Sequence, residues 1–284
     1  MPDTPVVDLD ALDDDGRYLT YHAARDEGAE GYAEHRRDVR TLLGLEAGAR
    51  VVEVGCGTGA HLPHLSDLVG ANGYVLGVDS SQKMLNLAES RLGAAGVQPL
   101  EAGASRNGVS LLHARLDSMP SELGEFDVVL ADRLIGHLSD PCLGLEQLGG
   151  LCRSGGRVVV VNMLNSATVV NLGAGADERE LAQRVLTWRA ERGTSSAWAA
   201  PVLSSLAIRV GLTPVSVRYW VFPCKSLEET YPHSPLIEYG DHAVADGALD
   251  NSEAKRWREL LEAADRDGVF SALFVVRADV LLVP

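Results

Sequence analysis

The sequence predicts an α/β fold built on a parallel, doubly wound sheet. A run of buried-strand character at residues 51–54 passes directly into glycines at alternate positions, Gly55, Gly57 and Gly59, and then into a segment with helical spacing. Short apolar runs then alternate with helical or loop segments as far as residue 161, a pattern that gives crossover connections and parallel strands. Beyond residue 163 the alternation gives way to longer helical stretches, which read as two insertions beside the sheet.

In chain order, residues 17–43 carry helical spacing through Tyr18, Tyr21, Tyr32, Val39, Leu42 and Leu43, with Gly44 as C-cap. The first strand and its glycine turn follow, and Leu62, Leu65, Leu68 and Val69 place a helix behind the turn. Asn72-Gly73 turns into a second strand at 74–78, and Asp79-Ser80-Ser81 ends it with a Ser N-cap for a helix bearing Met84, Leu85, Ala88 and Leu92. Residues 93–108 read as loop, 109–112 as a third strand and 126–131 as a fourth. A helix is expected over 140–152 and a fifth strand over 157–161. Helices at 177–192, 200–210 and 251–264 surround a sixth strand at 214–222, where period-two alternation is clear, and a last strand at 272–276.

Composition narrows the function. The chain has 284 residues with a formal net charge of −15, so it lacks the excess of basic charge that nucleic acid or an anionic membrane surface attracts. No run reaches the ~18 uninterrupted apolar residues needed to span a bilayer. The first ten residues are acidic and unlike a signal peptide, and Cys56, Cys142, Cys152 and Cys224 show no C-x-x-C spacing. The expectation is a reduced, cytoplasmic protein without a metal site, and a homodimer is compatible with it.

The glycine turn is a ligand loop. A strand that ends in alternating glycines lets the backbone touch a ligand, and the helix behind it presents free N–H groups to the same place. Gly55-x-Gly57-x-x-Ala60, with Asp79 after the second strand, fits a dinucleotide fingerprint. Against that reading stands Glu53, whose carboxylate just before the turn repels a pyrophosphate and suits an ammonium. The third glycine, at 59, gives a G-x-G-x-G loop across which a cationic group can lie, and the C-terminal part shows no second mononucleotide-binding half.

These segments carry a family resemblance. Val51-Val-Glu-Val-Gly-Cys-Gly-Thr-Gly59 resembles the first motif of class I S-adenosylmethionine-dependent methyltransferases, and Gly77-Val-Asp-Ser-Ser81 their acidic loop. Phe126-Asp-Val-Val with the stretch 131–141 resembles their fourth-strand motif, and 151–161 the fifth. The resemblance runs from about residue 30 to the C-terminus and is closest to the small-molecule branch, which includes natural-product tailoring enzymes. It implies a Rossmann-like seven-stranded sheet of order 3-2-1-4-5-7-6 with the last strand antiparallel. It also implies one domain, with a helical cap at 17–44 and insertions at 163–212 and 223–270 covering the acceptor site.

For the cofactor, S-adenosylmethionine, the resemblance places Gly55, Cys56, Gly57, Thr58 and Gly59 beneath the methionine part and Glu53 at its ammonium. Asp79 would accept both ribose hydroxyls, with Ser80 and Met84 flanking the adenine. The family's usual Asp five residues before the proline is Arg115 here, ahead of Pro120, so either Asp117 or the backbone near Leu116 takes the adenine amino group. Asp132 either contacts cofactor or caps a turn.

Methyl transfer asks mainly for positioning, and for a base only where the acceptor must lose a proton. His137 is the first candidate, because an imidazole titrating near neutrality suits that role; the alternative is that it caps or packs under the next helix. Tyr21 and His22, with Tyr18, either reach the methionine carboxylate and acceptor or simply pack. Arg133 reads as an ion-pair partner, Cys56 as packing, and His61 and His64 as surface residues. Trp198, Trp220, Phe222, Tyr231 and Tyr239 either line an acceptor pocket or form the core of the cap. The expected function is methyl transfer to oxygen, nitrogen or electron-rich carbon of a small, aromatic or apolar metabolite of specialised metabolism. The alternatives are an NAD-dependent oxidoreductase and a methyltransferase-fold cyclase or binding protein.

Overall fold

Nine strands form one sheet in the computed structural model, which describes residues 32–101, 107–120, 123, 125–172, 175–192 and 194–284. The strands are β1 (Arg50–Val54), β2 (Tyr74–Asp79), β3 (Leu100–Glu101), β4 (Gly108–His113), β5 (Phe126–Asp132), β6 (Cys152–Met163), β7 (Val169–Asn171), β8 (Thr213–Cys224) and β9 (Ser271–Leu282). Helices are α1 (Tyr32–Leu43), α2 (Leu62–Val69), α3 (Gln82–Ala94), α4 (Pro141–Gly150), α5 (Ala176–Arg192), α6 (Ala199–Arg209), α7 (Leu227–Thr230), α8 (Glu238–Ala245) and α9 (Asn251–Arg266).

The strands run β3-β4-β2-β1-β5-β6-β9-β7, with β8 on the other side of β9. Counting the long strands alone, the order is 3-2-1-4-5-7-6, and β9 runs antiparallel to both β6 and β8. The class I Rossmann-like fold expected from the sequence is the fold observed. Two short strands were not legible: β3 lies within the stretch read as loop, and β7 pairs only with the start of β9. The last strand is also much longer than the expected 272–276. Its second half alternates Arg277 and Asp279 with buried apolar residues, a pattern that hides a buried strand.

Central strands are apolar on both faces, as a parallel sheet covered by helices requires. All six residues of β2 are buried. Val51, Val75, Val109 and Val128 point to the face covered by α1, α2 and α3, whereas Val52, Leu76, Val129 and Val160 point to the face covered by α4 and α6.

On that second face β9 carries a buried ion pair. Arg277 Nη2 donates to Asp279 Oδ1 at 2.6 Å and Arg277 Nε to Oδ2 at 2.7 Å, while Nη1 reaches the Pro201 carbonyl of α6 at 2.8 Å. Ser204 Oγ donates to Asp279 Oδ1 at 2.6 Å, so the carboxylate, which is fully buried, is satisfied on both oxygens. Removing one partner strands a buried charge. Asp279→Ala should therefore lower unfolding free energy by about 3–5 kcal/mol in urea denaturation, and Ser204→Ala by less than half of that.

Candidate functional site

The loops at the C-terminal ends of β1 and β2 are fastened to each other. The N–H groups of Gly55 and Cys56 donate to the Val78 carbonyl at 2.8 and 2.9 Å. Asp79 then closes the arrangement: Oδ2 accepts the Gly57 N–H at 2.8 Å and Oδ1 the Ser81 N–H at 2.9 Å. Ser81 in turn caps α3 by accepting the Met84 N–H at 3.2 Å.

Two glycines show what the turn is for. At Gly59, a Cβ would lie 2.9 Å from the Ala88 Cβ, so the residue lets α3 approach closely. At Gly57 (φ 53°) a Cβ would meet nothing within 4 Å, because that position opens on the crevice. Thr58 faces the other way: it is buried, and its Oγ1 accepts from Arg91 of α3 at 2.7 Å. Cys56 is buried too, and desolvation, with Glu53 and Asp79 beside it, pushes its thiol well up from the usual range, so it packs as expected and offers no thiolate.

One crevice of about 760 Å³ runs over this turn. At one end it is walled by Asp79, Ser80, Met84, Leu116 and Asp117. Ser80 is exposed, Met84 is buried, and Leu116–Ser118 forms a 3-10 turn. Arg115 donates to both oxygens of Asp117, at 3.1 and 2.9 Å, and that bonding lowers the Asp117 carboxyl.

A polar cluster follows at the end of β5. Asp132 receives His61 Nε2 at 3.4 Å. Burial works against the Asp132 charge, yet the His61 hydrogen bond and the nearby Arg133 hold the carboxyl well below the usual carboxylate range. His61 is therefore buried against Asp132, which corrects the surface reading; His64 does lie at the surface. Arg133 takes a left-handed backbone (φ 61°), an arrangement that costs on the order of 1–3 kcal/mol and collects at functional sites. Its Nη2 donates to the Tyr32 hydroxyl of α1 at 2.5 Å, leaving the phenol proton for His233 Nδ1 at 3.0 Å. Between α1 and the turn, Tyr32, His35, Arg36, Glu53, His61 and Asp132 enclose a polar pocket of about 30 Å³.

Beyond Arg133 the crevice continues between the insertions. His137, in the 3-10 turn Ile135–His137, faces this part, opposite residues 194–197, Arg189 and Tyr231–His242. It caps nothing: Asp140 Oδ1 accepts the Cys142 and Leu143 N–H groups at 2.9 and 3.0 Å and so starts α4. The His137 side chain is exposed to the open crevice, and enclosure by the crevice walls, with Arg189 and Arg133 close by, lowers its pKa from the usual value.

Of the five aromatic residues expected to wall an acceptor pocket or fill the cap, only Tyr231 lines the crevice. Trp220 and Phe222 hold α1 to β8, with His35 stacking edge-on to Trp220 at 4.5 Å and Tyr32 stacked on Phe222 at 5.0 Å. Trp198 is 45% exposed, and Tyr239 is buried with its hydroxyl donating to Ser234 Oγ at 2.5 Å. Tyr18, Tyr21 and His22 lie outside the described residues. Sequence reasoning passed over Tyr32, His35, Asn162, Arg189 and His233. Only Asn162 left a signal, as a polar residue directly after the valine run of β6.

Residues 51–156 match a family model described as a methyltransferase domain. Among curated proteins, the chain is 35% identical over 124 residues to a phosphatidylethanolamine N-methyltransferase of Cereibacter sphaeroides, covering 43% of this chain and 55% of that one. It is 28% identical over 124 residues to the demethylmenaquinone methyltransferase of Shouchella clausii, covering 44% and 49%. The chain spans about half the length of these curated relatives. A solved structure from Bacillus halodurans, described as a candidate methyltransferase, superposes with a TM-score of 0.59 at 14% identity, covering 88% of this chain and 98% of that one.

His35 and His233 are buried and, like His137, lowered from 6.5 to about 4, in each case chiefly by desolvation. Each stays neutral in the folded chain while its unfolded counterpart takes a proton as pH falls below 6.5, so stability is lost from that pH down to about 4. At about 1.4 kcal/mol per pH unit, each buried histidine accounts for a loss on the order of 3 kcal/mol. Urea denaturation at pH 7 and pH 4.5 should show the fall, and His35→Phe should flatten it.

Proposed function

We propose that this chain, whose residues 51–156 match a methyltransferase domain model, binds S-adenosylmethionine and transfers its methyl group to a small-molecule acceptor. The observation that carries the reading is continuity: one crevice joins the glycine turn and Asp79 to a walled second half beyond Asp132. An acceptor held there adjoins the cofactor half without crossing solvent.

The residues present fit the cofactor. The open space at Gly57 admits a ligand against the backbone, and the pocket beside Glu53 and Asp132 offers carboxylates to an ammonium. In this reading Gly55, Cys56, Gly57, Thr58 and Gly59 supply backbone beneath the methionine part, with Thr58 fixed by Arg91. Glu53 and Asp132 face the ammonium, and Arg36 stands in the same pocket for the carboxylate. Asp79, already rigid through Gly57 and Ser81, receives the ribose hydroxyls. Ser80 and Met84 flank the adenine and the backbone at Leu116 meets its amino group, since Arg115 occupies both oxygens of Asp117. When bound, the cofactor supplies an electrophilic methyl on a sulfonium.

The protein's own part is orientation, exclusion of water and proton handling. His137 stays unprotonated at neutral pH, so its imidazole nitrogen can accept a hydrogen bond from an acceptor O–H or N–H and orient it, while its lowered pKa makes it a weaker base than the neutral-range imidazole expected from the sequence. Tyr32, Arg133 and His233 tie α1 to the crevice wall and hold it closed on that side. We extend the reading to a cytoplasmic enzyme of specialised metabolism, on the likeness of the motifs to tailoring enzymes; the mixed polar lining favours an acceptor with hydrogen-bonding groups over a purely apolar one.

Incubation with methyl-labelled S-adenosylmethionine and fractionated bacterial metabolites should put label into a small organic product. His137→Ala should lower turnover by about 10²- to 10⁴-fold without changing S-adenosylhomocysteine affinity. Labelled product at wild-type rate in that variant would remove His137 from the mechanism, and no labelled product in any fraction would contradict the reading.

A further inference from the structure

One buried group in the acceptor half of the crevice lacks a partner. Asn162, 5% exposed at the C-terminal end of β6, lines the crevice, and its buried Nδ2 has no hydrogen-bond partner. Leaving a buried amide donor unsatisfied costs about 1–3 kcal/mol, so such a group in a cavity wall indicates a ligand that supplies the acceptor atom. Asn162 stands on the α4–α6 face of the sheet, opposite Arg277 in the β6–β9 register, and Arg277 already has its partners in Asp279, Ser204 and Pro201.

The charge in this part of the crevice is mixed, with two guanidinium groups in its walls. Arg189 of α5 and Arg133 both line the same half, and both act on His137 to disfavour its protonation. Three carboxylates also border this part: Asp132 ends β5, Asp140 holds the first turn of α4, and Glu238 begins α8. The charged groups that act on His137 are Arg189 and Arg133. His137 and His233 are both held neutral there. A guanidinium in the wall and an unsatisfied buried N–H donor lining the same crevice together suit a negatively charged oxygen.

We propose that the acceptor carries a carboxylate, and that Asn162 Nδ2 and the Arg189 guanidinium receive it within the crevice. This rests on the methyltransferase reading and narrows its substrate class. Asn162 fixes the position of the group by a single donor at the floor, and Arg189 supplies the charge from the wall. In that position the carboxylate orients the rest of the acceptor toward the sulfonium end of the crevice. The neutral His137 then faces the atom to be methylated without competing for the anion.

The test uses the full chain loaded with S-adenosylhomocysteine and matched pairs of small aromatic probes, each a carboxylate and its carboxamide, followed by ligand-observed NMR. The expected result is that carboxylates bind at least tenfold more tightly than their amides. Asn162→Leu and Arg189→Gln should each bring the two within about threefold, with S-adenosylhomocysteine affinity unchanged. Asn162→Leu should also leave Tm unchanged or raise it, because it removes an unpaired polar group of similar size; a large fall in Tm would mark Asn162 as structural and overturn its assignment. Bound carboxylate should raise the His137 titration above about 4, read from its imidazole proton shifts. Equal affinity for the paired probes, or no carboxylate bound to the loaded protein, overturns the proposal. Failure of S-adenosylhomocysteine itself to bind would instead overturn the methyltransferase reading on which it rests.

Discussion

The site depends on the two oxygens of one carboxylate. Asp79 sits at the end of β2 and bonds the backbone of Gly57 on one side and of Ser81 on the other. Because it is only 8% exposed, these bonds form in surroundings of low polarity, where hydrogen bonds to a charged acceptor are strong and short. The consequence is geometric. The glycine turn after β1 and the loop after β2 cannot shift independently, so the wall they make is set before any ligand arrives. The cost of ordering that wall falls on folding instead of binding.

A second linkage reaches the same crevice from α1 and the insertion after β8. The left-handed Arg133 directs its guanidinium to Tyr32, and Tyr32 reaches His233, so α1, the end of β5 and the insertion after β8 meet at one phenol. Trp220 anchors α1 further along by donating to Asp38 at 2.9 Å. Trp220 and Phe222, two of the aromatic side chains that read as a ligand cage in the sequence, are thus fasteners between a helix and a strand. The second half of the crevice is lined by His137, Asn162, Arg189 and Glu238 among leucine, methionine and alanine side chains.

Much of the fold, and the place of the glycine turn and Asp79 in the candidate site, were legible in the sequence. Gly55, Gly57 and Gly59 mark the turn because left-handed backbone and close helix approach leave few residues able to serve there, and Asp79 follows from the end of the second strand. Strands buried on both faces announce themselves as unbroken apolar runs, as in residues 74–78. The last strand is less plain because it carries Arg277 and Asp279, whose mutual pairing permits burial that neither has alone. The acceptor half was hidden for a different reason. Asn162, Arg189 and His233 lie far apart in the chain, and only the crossing of β6, α5 and the segment before α8 brings them together. Histidine titration was equally hidden: a local motif gives no measure of desolvation, and His137 reads as an ordinary imidazole until the crevice walls are in place.

The central claim is that a carboxylate-fastened glycine turn forms the S-adenosylmethionine half of the crevice. Titration calorimetry of S-adenosylhomocysteine into the wild-type chain and into Asp79→Ala tests it most directly, with circular dichroism to establish that the variant is folded. The account predicts a fall in affinity of at least about 100-fold, since the variant loses the ribose acceptor and the fastening of both loops, at about 1.4 kcal/mol for each factor of ten. Unchanged affinity in a folded Asp79→Ala chain would contradict it.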